Sequence, residues 1–258
     1  MHANNVDGHW TRRSWMVLAG LIAAGATTAA SAQNAPDPAT KDKEPAAVPP
    51  AKPAPIDVAV LLGSYNTLID FAGPWEILSS SGRFNVYSVA ASRDPVICDD
   101  ARSLDTRRPI SGLTVIPDFI FENAPQPAII VVGGQGESDT PAGEALEARK
   151  LAWLRRASAA AQLTSSVCVG AFVLADAGLL DGHTVTTNRN AYDSFEKAYP
   201  KVKLVRGVRF VESGAVATAT GLTAGIDLAL RITARFCGEA VAEKMAVYEE
   251  WAGRDWAI

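Results

Sequence analysis

The sequence predicts a doubly wound α/β fold, a mostly parallel sheet sandwiched between layers of helices. Three observations predict it. Apolar, β-branched runs of strand length alternate with longer segments of helical period along the chain. Two of these runs, residues 56–62 and 128–132, are apolar enough to be buried on both faces and end directly in glycine. In the third observation, Thr164-Ser-Ser-Val-Cys-Val-Gly-Ala-Phe-Val-Leu-Ala-Asp-Ala-Gly-Leu-Leu180 passes from a short buried strand into a small-residue helix, with Cys168 at the hinge.

The elements follow in order. Residues 56–62 form a strand, and residues 70–78 a helix with Pro74 in its first turn. Residues 84–90 form the next strand. Residues 98–118 mix Gly, Pro, Arg and short apolar pieces, which predicts a hairpin and excursion rather than a helix. The strand at 128–132 runs into Gly133-Gly134-Gln135-Gly136, and residues 141–161 form a helix whose Leu146, Leu151 and Leu154 recur at helical spacing. After the elbow, in which Phe172, Val173, Leu174 and Ala177 form an apolar face before Gly178, come strands near Val185, 202–205, 208–212 and 216–220. Helices follow Asn190, Thr223 and Ala240. No internal repeat is present.

The first 32 residues do not belong to this domain. Arg12 and Arg13 precede an apolar run over 15–30, and Ala30-Ser31-Ala32 has the form of a signal-peptidase site, so Gln33 is the expected mature N-terminus. Thr11-Arg-Arg-Ser-Trp-Met resembles a twin-arginine export signal, with Trp where Phe is usual. A periplasmic or secreted protein is expected on either export route, without stable membrane insertion after cleavage. Residues 33–55 are Ala, Pro, Lys and Asp with little to bury, and read as a disordered tether. Residues 56–258, roughly 200 in all, suit one domain. The formal net charge is −4, and loss of Asp7, Arg12 and Arg13 makes the mature chain one unit more negative. No basic block predicts nucleic-acid binding. The mature chain keeps Cys98, Cys168 and Cys237. One disulfide, Cys98–Cys237, or three free thiols are both compatible with the sequence.

In a doubly wound sheet, ligands bind at the carboxyl ends of the strands. There the 64–70 loop, the Gly133–Gly136 turn, the Cys168 elbow and residues 186–190 should converge. Cys168 at a sharp strand-to-helix turn has the geometry of a nucleophile elbow, with a helix N-terminus favouring thiolate and Gly170 making room for the turn. A buried structural cysteine is the alternative. His183, the one histidine of the mature chain, sits in the Asp181-Gly182-His183 turn beyond the far end of the elbow helix and reads as a surface residue. The acid in reach of Cys168 is therefore Asp70, whose other reading is a helix cap. Gly134 and Val169 offer backbone N–H groups as oxyanion-type donors, while Gln135 and Asn188 are candidate substrate contacts. The glycine turn has the spacing of neither a P-loop nor a dinucleotide fingerprint. No His/Cys/Asp cluster has zinc spacing, and no cofactor or metal is expected. Trp153, Trp251 and Trp256 read as packing or dimer surface, and Trp75 as core or interface beside the pocket mouth.

Together, Leu68-Ile-Asp-Phe-Ala-Gly-Pro-Trp-Glu76, Val131-Val-Gly-Gly-Gln-Gly136, Ser166-Val-Cys-Val-Gly-Ala-Phe-Val-Leu-Ala-Asp-Ala-Gly-Leu-Leu-Asp-Gly182, Thr186-Thr187 and Thr220-Gly-Leu-Thr-Ala-Gly-Ile-Asp227 resemble the ThiJ/PfpI family of class I glutamine-amidotransferase-like proteins. The nearer likeness is to its isonitrile hydratase-like branch. The resemblance implies a flavodoxin-like sandwich, commonly dimeric, with Cys168 as nucleophile and Asp70 as its partner acid. The implied activity is hydration of an isonitrile, a small-molecule substrate, to an N-substituted formamide. Two positions depart from relatives with that activity: Val169 replaces a threonine, and Asn188-Arg189 stand where many relatives carry His-Trp. Glyoxalase or deglycase-like chemistry and a non-catalytic periplasmic binding or thiol redox-sensing module are the alternative functions. The absence of a suitably placed histidine argues against a peptidase, and the chain after the final helix is too short for a DNA-binding domain.

Overall fold

The computed structural model describes residues 53–63, 65–99, 112–136 and 141–257. The leader and nearly all of the tether lie outside the described residues. The elements are β1 (Ile56–Leu61), β2 (Tyr65–Thr67), α1 (Leu68–Ser80), β3 (Phe84–Ala90), β4 (Val96–Asp99), β5 (Leu113–Val115), β6 (Phe119–Ile120), β7 (Ile129–Val132), β8 (Gln135–Gly136) and α2 (Pro141–Ser158). They continue with β9 (Leu163–Val167), α3 (Gly170–Asp176), β10 (Thr184–Val185), α4 (Tyr192–Ala198), β11 (Lys203–Leu204), β12 (Phe210–Ser213), β13 (Val216–Ala219), α5 (Ala224–Cys237) and α6 (Glu239–Tyr248).

The main sheet has the order β12-β13-β9-β7-β1-β3-β6 and is parallel except for edge strand β12. From β1 the chain builds outward through β3 and β6, then crosses back to β7 and builds the other way through β9 and β13. The reversal falls between β1 and β7, which makes their carboxyl ends the natural ligand crevice. Both faces of β1 are buried, as its unbroken apolar run requires. Val58 and Val60 join the core under α1 and α5, while Ala59 and Leu61 join the core under α2 and α3. The doubly wound architecture is as the sequence predicts.

Three details differ from the sequence reading. Helix α1 begins two residues earlier than expected, so Pro74 lies in its interior and cannot donate a hydrogen bond to the Asp70 carbonyl. Just before the helix, the Asn66 side chain clasps both N–H and C=O of Gly63 (2.9 and 3.0 Å). In α2 two of the three leucines meet the core, Leu154 buried beside Lys150, Trp153 and Ala157 and Leu151 packed partly against it, while Leu146 is exposed. Trp153 stacks on Phe121 at 5.5 Å. Finally, β2 and β8 pair with β4 and β5 in a small second sheet. The antiparallel β4–β5 pair forms the stem of the expected hairpin, whose residues 100–111 lie outside the described residues. Among the described residues no helix is long and apolar enough to cross a membrane.

The elbow helix α3 is fixed at both ends. Its C-terminus closes with Gly178 at φ 75°, and the Gly178 and Leu179 amides donate to the Ala175 and Leu174 carbonyls. At its start, a Cβ on Gly170 would lie 2.2 Å from the Val132 carbonyl oxygen and 2.7 Å from that of Gly133. Backbone occupies the space any side chain would need. Gly170→Ala is therefore expected to destabilise the domain by about 1–3 kcal/mol. Calorimetry should show this as a fall in Tm of about 3–10 °C.

Candidate active site

Cys168 connects β9 to α3 with a left-handed backbone, φ 60°, which is uncommon for a residue other than glycine. Its peptide is held on both sides. The Cys168 N–H donates to the Ala219 carbonyl (3.1 Å), prolonging the β9–β13 ladder by one bond. The Cys168 carbonyl accepts from the Thr187 hydroxyl (2.9 Å). These two bonds support the strained turn and aim the side chain into the crevice.

Asp70 stands in the first turn of α1 and is fully buried. It does not cap its helix, because each carboxyl oxygen is bonded elsewhere. Oδ2 accepts from the Gly134 amide and Oδ1 from the Leu222 amide, both at 3.0 Å. The carboxyl is also hydrogen-bonded to the Cys168 thiol. Asn188 donates from Nδ2 to Cys168 Sγ at 3.2 Å, and the Val169 amide is a further donor to the sulfur. Asn188 Oδ1 accepts from the Asn190 amide (2.9 Å), which fixes the orientation of the side-chain amide and leaves its N–H₂ facing the sulfur.

The electrostatics differ from the expectation of a pre-formed thiolate. Burial pushes the Cys168 thiol up to about 12, and the neighbouring Asp70 charge adds to it. The Asn188 and Val169 donors lower it less than burial and Asp70 raise it. α3 is only seven residues long. Burial likewise raises Asp70, against the pull of the Gly134 and Leu222 amides and the thiol. With both groups shifted upward, the pair retains a proton at neutral pH. That proton lies between a sulfur and a carboxyl already in contact.

Most of the residues singled out in the sequence thus converge on Cys168, in roles of the structure's own. Gly134 and Val169 donate within the Cys–Asp pair. A Cβ on Gly134 would sit 2.7 Å from Asp70 Oδ2, so the glycine is what allows its amide to approach. Asn188 contacts the Cys168 sulfur itself. The Gln135 amide bonds the Leu61 carbonyl (2.8 Å) and Lys150 Nζ (3.0 Å) and buttresses the turn. His183 is apart from the site, half-buried with Nδ1 against the carbonyl and hydroxyl of Ser213. Trp75 packs against the core, as do Trp153, Trp251 and Trp256. All three cysteines are free thiols. Among the described residues no group of three or more His, Cys, Asp or Glu side chains is placed to hold a metal. The sequence did not point to Leu222, which donates through its backbone, nor to Thr187 as the clamp on the elbow. Gly221 was legible only as part of a motif. At φ 135° it leaves open space that a Cβ would close, 3.0 Å from Cys168 Cβ and 3.2 Å from Asn188 Nδ2.

Fold and site together define an α/β protein with a cysteine at a strand-to-helix elbow and a buried carboxyl beside it. The family model for the DJ-1/PfpI family matches residues 57–235, and the chain belongs to that family. It is 29% identical over 198 residues to an isonitrile hydratase of Pseudomonas putida, spanning 76% of this chain and 79% of that protein. It is 27% identical over 208 residues to the HTH-type transcriptional regulator GbdR of Pseudomonas aeruginosa. That match spans 78% of this chain but only 53% of the regulator. Among solved structures, a THiJ/PfpI family protein from Pseudomonas syringae superposes with TM-score 0.64 at 26% identity, covering 81% of this chain and 84% of that one.

The shared proton gives a testable pH dependence. In protein lacking Cys98 and Cys237, iodoacetamide should label Cys168 slowly at neutral pH, with a rate still climbing towards the thiol's titration at about 12. Asp70→Asn deletes a negative charge that raises the thiol, so the inflection should move down in pH. An upward move would show that Asp70 acts on the sulfur as a proton donor instead.

Proposed function

We propose that this protein is an exported, cofactor-independent hydratase of small isonitriles, with Cys168 as nucleophile and Asp70 as its proton carrier. The observation that carries the reading is the direct contact of a buried carboxyl with a cysteine on a strained elbow. The similarity to an isonitrile hydratase across most of both chains supports it. An isonitrile is uncharged, and among the described residues no Lys, Arg or His is bonded to Cys168 Sγ or to the Asp70 carboxyl.

In the proposed reaction, the sulfur attacks the terminal isonitrile carbon as Asp70 takes the thiol proton. Asp70 then gives that proton to the same carbon, forming a thioformimidate, R–N=CH–S–Cys168. Water adds to this carbon as Asp70 takes one of its protons and passes it to the imine nitrogen. The remaining hydroxyl proton then moves through Asp70 to the sulfur as the carbon–sulfur bond breaks. The products are the formamide R–NH–CHO and the regenerated thiol. One water is consumed and nothing is oxidised or reduced. Because the thiol is held protonated, the proton must leave as the new bond forms. Export to the periplasm follows from the leader, and a homodimer from the family resemblance; both belong to this proposal.

The test is conversion of cyclohexyl isocyanide to N-cyclohexylformamide, followed by proton NMR. Cys168→Ala should lose at least about 10³-fold in kcat. Asp70→Asn should lose about 10²–10⁴-fold. Undiminished turnover in Cys168→Ala would sink the reading. A second reading, a binding module without turnover, is favoured by the similarity to a transcriptional regulator. It predicts ligand binding that survives Cys168→Ala in a protein with no turnover at all. Export is checked separately: N-terminal sequencing of the periplasmic protein should begin at Gln33.

A further inference from the structure

A second concavity lies at the carboxyl ends of β1 and β3, under α2. It measures about 230 Å³ and is lined by Leu62, Ala90, Val96, Phe121 and Leu146, with Lys150 at its polar side. None of the residues that bond Cys168 Sγ or the Asp70 carboxyl lines it. Its location is the carboxyl edge of the sheet, where this architecture places ligands. The mechanism above makes no use of it.

Lys150 is the unusual feature of this cavity. It is 4% exposed, in the middle of α2, at a position where lysine is seldom found. Its ammonium carries three donors. One meets Glu147 at 2.6 Å and one meets Gln135 Oε1 at 3.0 Å. The third is left for whatever occupies the cavity that Lys150 lines. A buried donor without a partner costs free energy unless something else accepts from it.

The cavity's chemistry limits what that acceptor is. Lys150 only donates, so the ligand must bring a lone pair. The charge of Lys150 is already balanced by Glu147, and Asp94 stands at the rim, so an anion would meet two carboxylates for one ammonium. A cation would meet the ammonium itself. Ser92, Asp94 and Glu147 complete the polar side of the lining, and Leu62, Ala90, Val96, Phe121 and Leu146 form its apolar side. We propose that this cavity is a second small-molecule site, taking a neutral ligand with a carbonyl-type acceptor on Lys150 and a compact apolar body against Phe121, Val96 and Leu146. The site is distinct from Cys168 and independent of the reaction proposed for it.

Benzamide is a suitable probe, a neutral carbonyl on one apolar ring, titrated into the ¹⁵N-labelled full chain and followed by NMR. Saturable shifts should appear around Leu62, Ala91, Phe121 and Lys150, in the weak affinity range of a ligand this small. Binding should be unchanged in Cys168→Ala. It should fall at least about fivefold in Lys150→Met, which keeps the apolar stem but removes the donors. Ala91→Leu, which fills the cavity from a partly exposed position, should abolish binding with the fold intact, so the test does not rest on the lysine variant alone. Benzoate should bind more weakly than benzamide. Absence of saturable shifts, equal binding by Ala91→Leu, loss of binding in Cys168→Ala, or tighter binding of benzoate would each overturn the proposal.

Discussion

A buried carboxyl is tolerated only where hydrogen bonds replace the water it has lost, and the crevice of this protein is arranged to supply them to Asp70. Its two backbone donors come from residues 64 and 152 positions away in the chain. Three otherwise unrelated local features meet that demand. Gly134 lacks the Cβ that would collide with Oδ2, Leu222 accepts a left-handed backbone at φ 49°, and Gly133 leaves room beside the Asp70 Cβ. Deleting the carboxyl would leave two inward amides without an acceptor. The carboxyl therefore ties together α1, the turn after β7 and the entry to α5, and places all three against the cysteine.

The same burial sets the site's reactivity. A cysteine at a helix N-terminus is normally expected to ionise easily, yet here desolvation and an adjacent carboxylate both work against the thiolate. The result is a thiol that is quiet until a substrate offers an electrophilic atom within reach of both sulfur and carboxyl. Such a site discriminates by geometry. A reagent that reaches only the sulfur finds it protonated, whereas one that seats between sulfur and carboxyl finds a base already bonded to the proton. The contact that holds the thiol protonated is the same one that would relay its proton in the proposed reaction.

Much of this was legible in the sequence because it is written in short-range patterns. The double-faced apolar runs gave β1 and β7, and the strand–Cys–Gly–helix pattern gave the elbow. Other features were hidden because their causes lie far apart in the chain. Nothing about Leu222 marks its amide as a ligand of a carboxyl 152 residues earlier, and Thr187 looks like any threonine until the Cys168 carbonyl is seen beside it. Pro74 read as a helix start because proline favours a first turn. The helix instead starts at Leu68, which leaves Pro74 in its interior. Gln135 looked available to a substrate because its neighbours are glycines. Its side chain is instead held by Leu61 and by a lysine one helix away. The leucines of α2 recur at the right period, and Leu151 and Leu154 do meet the core, but period alone does not say where the stripe ends, and Leu146 in the second turn is exposed.

Asn188 carries the argument about chemistry one step further. Its carbonyl oxygen is engaged by the Asn190 amide, so only its N–H₂ can face the sulfur, and an amide nitrogen does not take up a proton at neutral pH. The backbone N–H of Val169 cannot do so either. Among the described residues bonded to Cys168 Sγ, Asp70 is thus the one proton acceptor. A histidine at position 188 would divide the work between two bases, one for the thiol and one for water. With asparagine there, the proposed reaction has one base: the carboxyl would release the thiol proton to the substrate before serving the incoming water. The Asn188 amide, donating throughout, would stabilise negative charge on sulfur as the bond to carbon forms and breaks.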